Sequence, residues 1–238
     1  MMNTYFQFKQ FIIHQDQCSM KVSEIACIQG AWTEVPLHAK KVLDLGCGTG
    51  LLSLMLAQRY PQIELTAIDI DQDAFLQASE NFKESIFKQR IIAIHTDIKT
   101  FKTTTKFDFI ITNPPFFENQ LEAIHEKKNI AWHSHQLKLN ELLEAINSHL
   151  SQEGQFSILF PFSRKNELEI ACNHLKFFPL HYLFIRHSEK HELKYLVGIF
   201  SRQHAATKTE TLTIKSNQTY SEMMKELMQE FYLNIPSN

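Results

Sequence analysis

Apolar positions between Lys41 and Ser201 follow two alternating rhythms. Short runs rich in β-branched and aromatic residues read as strands: KVLDLG (41–46), IELTAIDI (63–70), RIIAIHTD (90–97), KFDFIITN (106–113) and GQFSILFP (154–161). Between them lie segments with helical spacing: GLLSLMLAQRY (50–60), DQDAFLQASENFKES (71–85), LKLNELLEAINSHL (137–150) and SRKNELEIACNHL (163–175). The aspartates that open the second of these suit a helix N-terminus, where the helix dipole favours negative charge. Strands separated by helices of this length predict an α/β fold with a mostly parallel, twisted sheet and helices on both faces. Two later strands, HYLFIRHS (181–188) and KYLVGIFS (194–201), have only EKHEL between them. That connection permits a hairpin and is too short for a parallel crossover, so the sheet is expected to finish in an antiparallel hairpin. SEMMKELMQEFY (221–232) predicts a last helix that packs back onto it.

Length and composition narrow this picture. A chain of 238 residues, 44% apolar and 21% charged with 6 glycines and 7 prolines, is long enough for a stable core and unlike a disordered segment. It reads as one domain over 1–238, with an N-terminal segment (1–35), a central core (36–161) and a C-terminal part (162–238). Cys18, Cys27, Cys47 and Cys172 are scattered with no CxxC pair, which predicts reduced thiols, a cytoplasmic setting and no metal site. His133 and His135 lack an acidic or cysteine companion at ligand spacing and read as loop residues. No secretory signal and no membrane-spanning run is expected. The net charge of −2 argues against a general polyanion binder, yet residues 162–215 carry nine lysines and arginines against five glutamates. That segment is either a solvated surface or a contact for RNA.

Chemistry enters at LDLGCGTG, where a strand turns into a helix. Gly46, Gly48 and Gly50 would let a ligand approach the backbone closely, and their GxGxG spacing differs from the GxGxxG of dinucleotide sites. Asp44 ahead of them suits a ligand bearing positive charge. Asp69 ends the next strand, where a carboxylate can accept both hydroxyls of a ribose; Asp71 competes for that role or caps the helix. Asp97 ends the third strand, within reach of an adenine amino group. After the fourth strand comes Asn113-Pro114-Pro115-Phe116-Phe117, a rigid, amide-bearing and aromatic ending that a plain turn does not need.

Together these motifs resemble class I S-adenosylmethionine-dependent methyltransferases, whose Rossmann-like fold is the expectation here. NPP[FY] in that class marks methylation of a nitrogen conjugated to a planar group. The resemblance implies S-adenosylmethionine as cofactor, S-adenosylhomocysteine as product and no metal. It implies Asn113, Pro114, Pro115 and Phe116 as the catalytic set. The implied cofactor-binding set is Asp44, Gly46, Cys47, Gly48, Gly50, Asp69, Ile70, Asp97, Ile98 and Asn113. The flanks FKQFIIHQDQCSMKV…GAW (8–32), LLSLMLAQR (51–59), NPPFFENQ (113–120), NIAWHSHQLKLNELL (129–143) and YSEMMKELMQEFYL (220–233) are similar to one family, the bacterial tRNA1(Val) adenine-N6 methyltransferases. That likeness implies N6-methylation of the adenine 3′ of the anticodon, with tRNA as the partner and no membrane or obligate protein partner. Phe117, Trp132, His133, Arg186 and Lys190 are then candidate RNA contacts. Two departures stand out: Ser23-Glu24-Ile25 where the family usually has Gly-Thr-Asp, and Trp132 where it tends to have arginine. The alternatives are an N-methyltransferase of rRNA, DNA or a protein glutamine, and a non-catalytic protein of the same fold that binds RNA.

Overall fold

The structure is a computed structural model and describes residues 3–18, 20–115 and 139–235. Its centre is a nine-stranded sheet that begins with β3 (Lys41–Leu45), β4 (Glu64–Asp69), β5 (Ile91–His95) and β6 (Phe107–Thr112). It continues through β7 (Leu150–Pro161), β8 (Phe178–Ser188), β9 (Tyr195–Ser201), β10 (Lys208–Ser216) and β11 (Thr219–Tyr220). The spatial order is β11-β10-β8-β9-β7-β6-β3-β4-β5, and β9 and β11 alone in this sheet run against the rest. Strand order reverses between β3 and β6. From β3 the chain steps outward to β4 and β5, then returns to the other side of β3 to lay down β6 and β7. In open α/β sheets a crevice forms outside the carboxyl ends of the strands at such a switch point, and ligands bind there.

Side chains alternate across the sheet as the strand period requires. Phe109 and Ile111 of β6 join Val42, Leu159 and Val197 in one core; Ile110 joins Leu43, Phe156 and Leu196 in the other. The first core is covered by α1 (Glu24–Trp32), α2 (Leu51–Arg59), α3 (Gln72–Glu84) and α6 (Glu222–Met228). The second is covered by α4 (Leu139–His149) and α5 (Lys165–His174), the latter entered through a 3₁₀ turn at Phe162–Arg164. The expected α/β architecture with helices on both faces is therefore observed. Helix α6 packs on α1 and β10, as expected of the last helix.

The hairpin of β8 and β9 is present, but it does not end the sheet. Strand β10 continues past it, parallel to β8 with Lys208 opposite His181 and Lys215 opposite Ser188. Its first four residues are exposed and only Leu212 and Ile214 reach the core, so its apolar signal is too short to stand out. The pair β1 (Tyr5–Gln7) and β2 (Ile12–His14) is equally short. Phe8 and Phe11, beside it, are buried core residues. Among the described residues no helix is long and apolar enough to cross a membrane.

Candidate active site

The parallel register sets the site in one row. Leu45 of β3 lies abreast of Ile68 of β4 and Thr112 of β6, and Asp69 lies abreast of His95 of β5. One residue further on, Asn113, Gly46 and Asp69 leave neighbouring strands side by side, about 4.8 Å apart from strand to strand. Of the residues that sequence reasoning assigned to cofactor and acceptor, Asn113, Gly46 and Asp69 thus emerge side by side at the switch point, while Asp97 follows β5 at the edge of the sheet.

The glycines divide their work. All three have left-handed backbone: φ is +72° at Gly46, +54° at Gly48 and +81° at Gly50. A Cβ at Gly46 or Gly48 would meet no atom within 4 Å, so these two present bare backbone to open space. A Cβ at Gly50 would lie 2.3 Å from the Phe82 ring, so Gly50 is needed for packing α2 on α3. The loop is pinned from below. The N–H groups of Gly46 and Cys47 donate to the Ile68 carbonyl at 2.9 and 3.0 Å, and that of Gly48 donates to Asp69 Oδ2 at 2.8 Å. The other Asp69 oxygen accepts from the Asp71 N–H at 2.9 Å. Asp71 itself caps α3 through the Ala74 N–H at 2.9 Å.

Asp44 is wholly buried in β3. Its Oδ2 accepts from the Ser53 N–H at 3.1 Å and the Ser53 hydroxyl at 2.7 Å. Its Oδ1 has no hydrogen-bond partner among the described residues. Burial pushes its pKa up to about 7, opposed by the two bonds from Ser53 and aided by the charge of Asp69. Burial likewise raises Asp69. Burial and the carboxylates of Asp69, Asp71, Asp73 and Asp16 push the Cys18 thiol up to about 12, and burial pushes the Cys47 thiol well above its usual range. Asp69 at the loop and Asp44 beneath it, the latter with one unsatisfied acceptor, are carboxyls whose ionised forms burial disfavours and a nearby cation would restore. Such an arrangement favours a ligand that carries an ammonium and a sulfonium, so the residues present fit the cofactor the resemblance implies.

The remaining cofactor candidates separate. Ile70 is 49% exposed, a large apolar side chain left open beside the loop. Ile98 is buried, its side chain packed in the second core. Asp97 is half-buried, and its Oδ1 accepts from the Lys99 N–H at 2.9 Å, which fixes the turn after β5. Asn113 and Pro114 are half-buried and Pro115 is exposed. Phe116, Phe117, Trp132 and His133 lie outside the described residues.

Sequence reasoning passed over a set of buried amides that hold the site. Asn81 Nδ2 donates to the Thr49 carbonyl of the glycine loop and to the His14 carbonyl, both at 2.9 Å, while its Oδ1 accepts from the His14 N–H at 2.9 Å. Four residues earlier on α3, Gln77 Oε1 accepts from the Gln17 N–H at 3.0 Å. The N-terminal segment is thereby tied to the loop. The available signal was the i, i+4 spacing of two amides on a helix face otherwise made of Ala74, Ala78 and Phe82.

The basic segment is less basic as folded than as counted. Arg164 pairs with Glu167 at 2.7 Å and Lys165 with Glu169 at 2.6 Å. Arg202 donates to the carbonyls of Asn147 and Ser151 near the end of α4. Lys176, Arg202 and Lys208 lie towards the amino edge of the sheet, away from the glycine loop, since β8 and β10 begin there and β9 ends there. Towards the carboxyl edge stand Arg186, whose Nε donates to Thr213 Oγ1 at 2.8 Å, and the exposed His187, Lys190, His191 and Lys194. Phe162, Ser163, Arg186, His191, Glu192 and Leu193 line a cavity of about 460 Å³ there.

Comparison with known proteins gives a consistent set. The family model described as "Methyltransferase small domain" matches residues 31–166. A tRNA1(Val) (adenine(37)-N6)-methyltransferase of Dyadobacter fermentans is 40% identical, covering 98% of this chain and 99% of its own. The protein of the same description from Bacteroides thetaiotaomicron is 35% identical over 99% of this chain and 100% of its own. Among solved structures, a predicted O-methyltransferase of Agrobacterium tumefaciens superposes with a TM-score of 0.65 at 14% identity, over 87% of this chain and 96% of that one. The glycopeptide N-methyltransferase MtfA, solved with S-adenosylmethionine, gives a TM-score of 0.51 at 10% identity, over 69% and 82%. At those identities the two structures speak for the fold alone.

Proposed function

We propose a function for this chain from its family: it belongs to the methyltransferase small domain family and, over nearly its whole length, to the tRNA1(Val) (adenine(37)-N6)-methyltransferases. Its reaction is S-adenosylmethionine-dependent methylation of N6 of an adenine in tRNA. The finer reading is that the acceptor is the adenine 3′ of the anticodon of tRNA1(Val) and that the protein works in the cytoplasm without a metal. The observation that carries the site is the register: the acceptor motif leaves β6 one strand away from the glycine loop of β3.

Each residue has a physical task in this reading. Gly46 and Gly48, with no side chain in the way, let the cofactor approach the loop closely, Asp44 takes the positive amino-acid end, and Asp69 takes the ribose hydroxyls. Each Asp69 oxygen accepts one backbone N–H and has a lone pair left over, so it can do so without releasing the loop. Ile70 offers an apolar wall to the base. What the cofactor supplies is a methyl carbon made electrophilic by a sulfonium. The exocyclic amine of adenine shares its lone pair with the ring and is a poor nucleophile. The Asn113 side-chain oxygen and the Pro114 carbonyl each accept one amino hydrogen, which fixes the nitrogen and sets negative dipoles against the charge that develops on it. Two prolines leave this stretch little freedom to lose. Phe116 is read as the ring on which the base stacks, and Phe117, Trp132 and His133 as RNA contacts. Arg186 and Lys190 attract the RNA backbone.

The test is transfer of labelled methyl groups to tRNA, rRNA, DNA and release factor, each lacking its native modifications, followed by mass spectrometry of the nucleosides. N6-methyladenosine confined to tRNA is expected. Transfer to another acceptor with none to tRNA would overturn the assignment.

A further inference from the structure

Three polar side chains, those of Gln29, Thr33 and Ser157, meet in the core behind the acceptor motif, at the backbone carbonyl of Thr112, and the reaction as described does not use them. Gln29, Thr33, Thr112 and Ser157 are all inaccessible to solvent. Gln29, on α1, points Nε2 at the backbone carbonyl of Thr112 at 3.0 Å and at Ser157 Oγ at 3.4 Å. Ser157 Oγ in turn lies 3.0 Å from Thr33 Oγ1. Thr112 Oγ1 donates to the Leu45 carbonyl at 2.8 Å. A carbonyl can only accept, so the Gln29 atom facing Thr112 is its NH₂ group and the amide orientation is fixed by chemistry.

Thr112 is the residue before Asn113, and Leu45 is the residue before Gly46. The Thr112 carbonyl and the Asn113 N–H belong to one planar peptide unit. Whatever holds that carbonyl sets the plane from which the Asn113 Cα projects, and so the starting direction of its side chain and of the Pro114 carbonyl. The Thr112 hydroxyl fixes the same residue against the strand that carries the glycine loop. Gln29 holds the plane from behind, through a helix rather than through the sheet.

Stability does not account for this amide. Gln29 Oε1 is buried and has no hydrogen-bond partner among the described residues, so the side chain bears a desolvation penalty that an apolar residue of equal volume would avoid. A costly polar group that touches the peptide next to the reacting amide is better explained by what it orients. We propose that Gln29 is a positioning residue for methyl transfer: its carboxamide fixes the Thr112–Asn113 peptide plane and thereby the two acceptors that hold the substrate amine. This rests on the acceptor role of Asn113 and Pro114 given above.

Gln29→Met keeps the volume and removes the donor. Turnover on unmodified tRNA transcript is expected to fall about tenfold to a hundredfold, with the KM for tRNA and the calorimetric affinity for S-adenosylhomocysteine within about twofold of wild type and Tm unchanged or higher. Gln29→Glu separates positioning from packing. A buried carboxyl that keeps its proton has an O–H to give to the Thr112 carbonyl. Its turnover relative to wild type should therefore recover as pH falls and be lost as pH rises. Hydrogen exchange reads the same idea without the reaction: the Asn113 amide should exchange several-fold faster in Gln29→Met than in wild type. Unchanged exchange, turnover within about twofold, or parallel losses of Tm and cofactor affinity would each overturn the positioning role. Failure of the wild-type protein to methylate tRNA would instead sink the proposed reaction and leave the exchange result to judge Gln29.

Discussion

The carboxyl edge of the sheet has two halves built on opposite principles. Over β3–β5 the functional groups are acidic, buried or half-buried, and bonded to backbone: Asp44 to Ser53, and Asp69 to Gly48 and Asp71. Over β7–β10 the charges are mostly exposed and of both signs, with Lys190 and Lys194 beside Glu189 and Glu192 on the hairpin between β8 and β9 and the half-buried Arg186 behind them. The first half is preorganised, because each carboxylate is held by donors and loses strength if it moves. The second acts through a screened field, to which any one side chain contributes little. Asn113 stands at the join. A small cationic cofactor needs an ordered cage, whereas a large polyanion needs only a surface of the right sign.

The join gives the sharpest way to break this comparison. In the proposed reaction Asn113→Ala removes one acceptor of the substrate amine and nothing from the glycine loop. Turnover on unmodified tRNA should drop by about a thousandfold, while affinity for S-adenosylhomocysteine stays within about twofold. A parallel loss of cofactor affinity would move Asn113 into the acidic half and leave the acceptor without its anchor.

The next effect tests whether the acidic half works through charge. Asp44 has a pKa of about 7 in the free protein, raised above its ordinary value of 3.8 chiefly by burial. A raised folded-state pKa means that stability is greatest with the group protonated and is lost as pH climbs from about 4 through about 7. An ammonium-bearing ligand wants the ionised form. Cofactor-product affinity should therefore increase from about pH 6 to about pH 8, with net proton release visible by calorimetry in buffers of different ionisation enthalpy. Asp44→Asn should lose that pH dependence and weaken binding by about tenfold or more at pH 8, yet raise Tm there by a few degrees, because a neutral amide replaces a buried charge. A steep pH dependence surviving in Asp44→Asn would assign the titration to another group.

The glycines supply a smaller effect with a clear division. Gly48→Ala meets open space, so its cost to folding is the left-handed strain alone, about 1 kcal/mol, while in the proposed site the new methyl would stand where the cofactor binds. Gly50→Ala places Cβ 2.3 Å from the Phe82 ring and should cost more in Tm than Gly48→Ala. Thermal melts of both variants with and without S-adenosylhomocysteine check this. Equal Tm losses would mean that the loop is a packing device throughout.

The two halves also differ in how far they could be read from sequence. Strands β3, β4 and β6 are buried runs of Val, Leu and Ile between helices of clear period, and the glycines and aspartates at their ends are chemically conspicuous, so elements and site are legible together. Helix α1 carries its site-facing residue, Gln29, among small and weakly patterned neighbours, and an amide in a helix reads as surface. Gln77 and Asn81 escape for the same reason: their value lies in partners far along the chain. Charge misleads in the other half because a count cannot see pairing. Arg164 and Lys165 are held by glutamates within one helical turn, and Arg202 is spent on carbonyls near the end of α4.

That pairing sets the smallest effect and the way to sharpen the basic half. If the hairpin contacts phosphates, Lys190 displaces counterions when tRNA binds, and Lys190→Ala should lower the magnitude of the slope of log affinity against log salt by roughly 0.7 to 0.9, with only a few-fold loss near physiological salt. Arg186 is half-buried and bonded to Thr213, so it is less free to reach a phosphate. Arg186→Ala should change the slope less than Lys190→Ala does. Lys208, towards the opposite edge of the sheet, serves as the control and should leave the slope unchanged. Equal slopes for the Lys190 and Lys208 variants would show that the carboxyl edge of β8–β10 carries no part of the RNA contact. The field would then have to come from elsewhere on the molecule, with the acidic half no less dependent on its buried bonds.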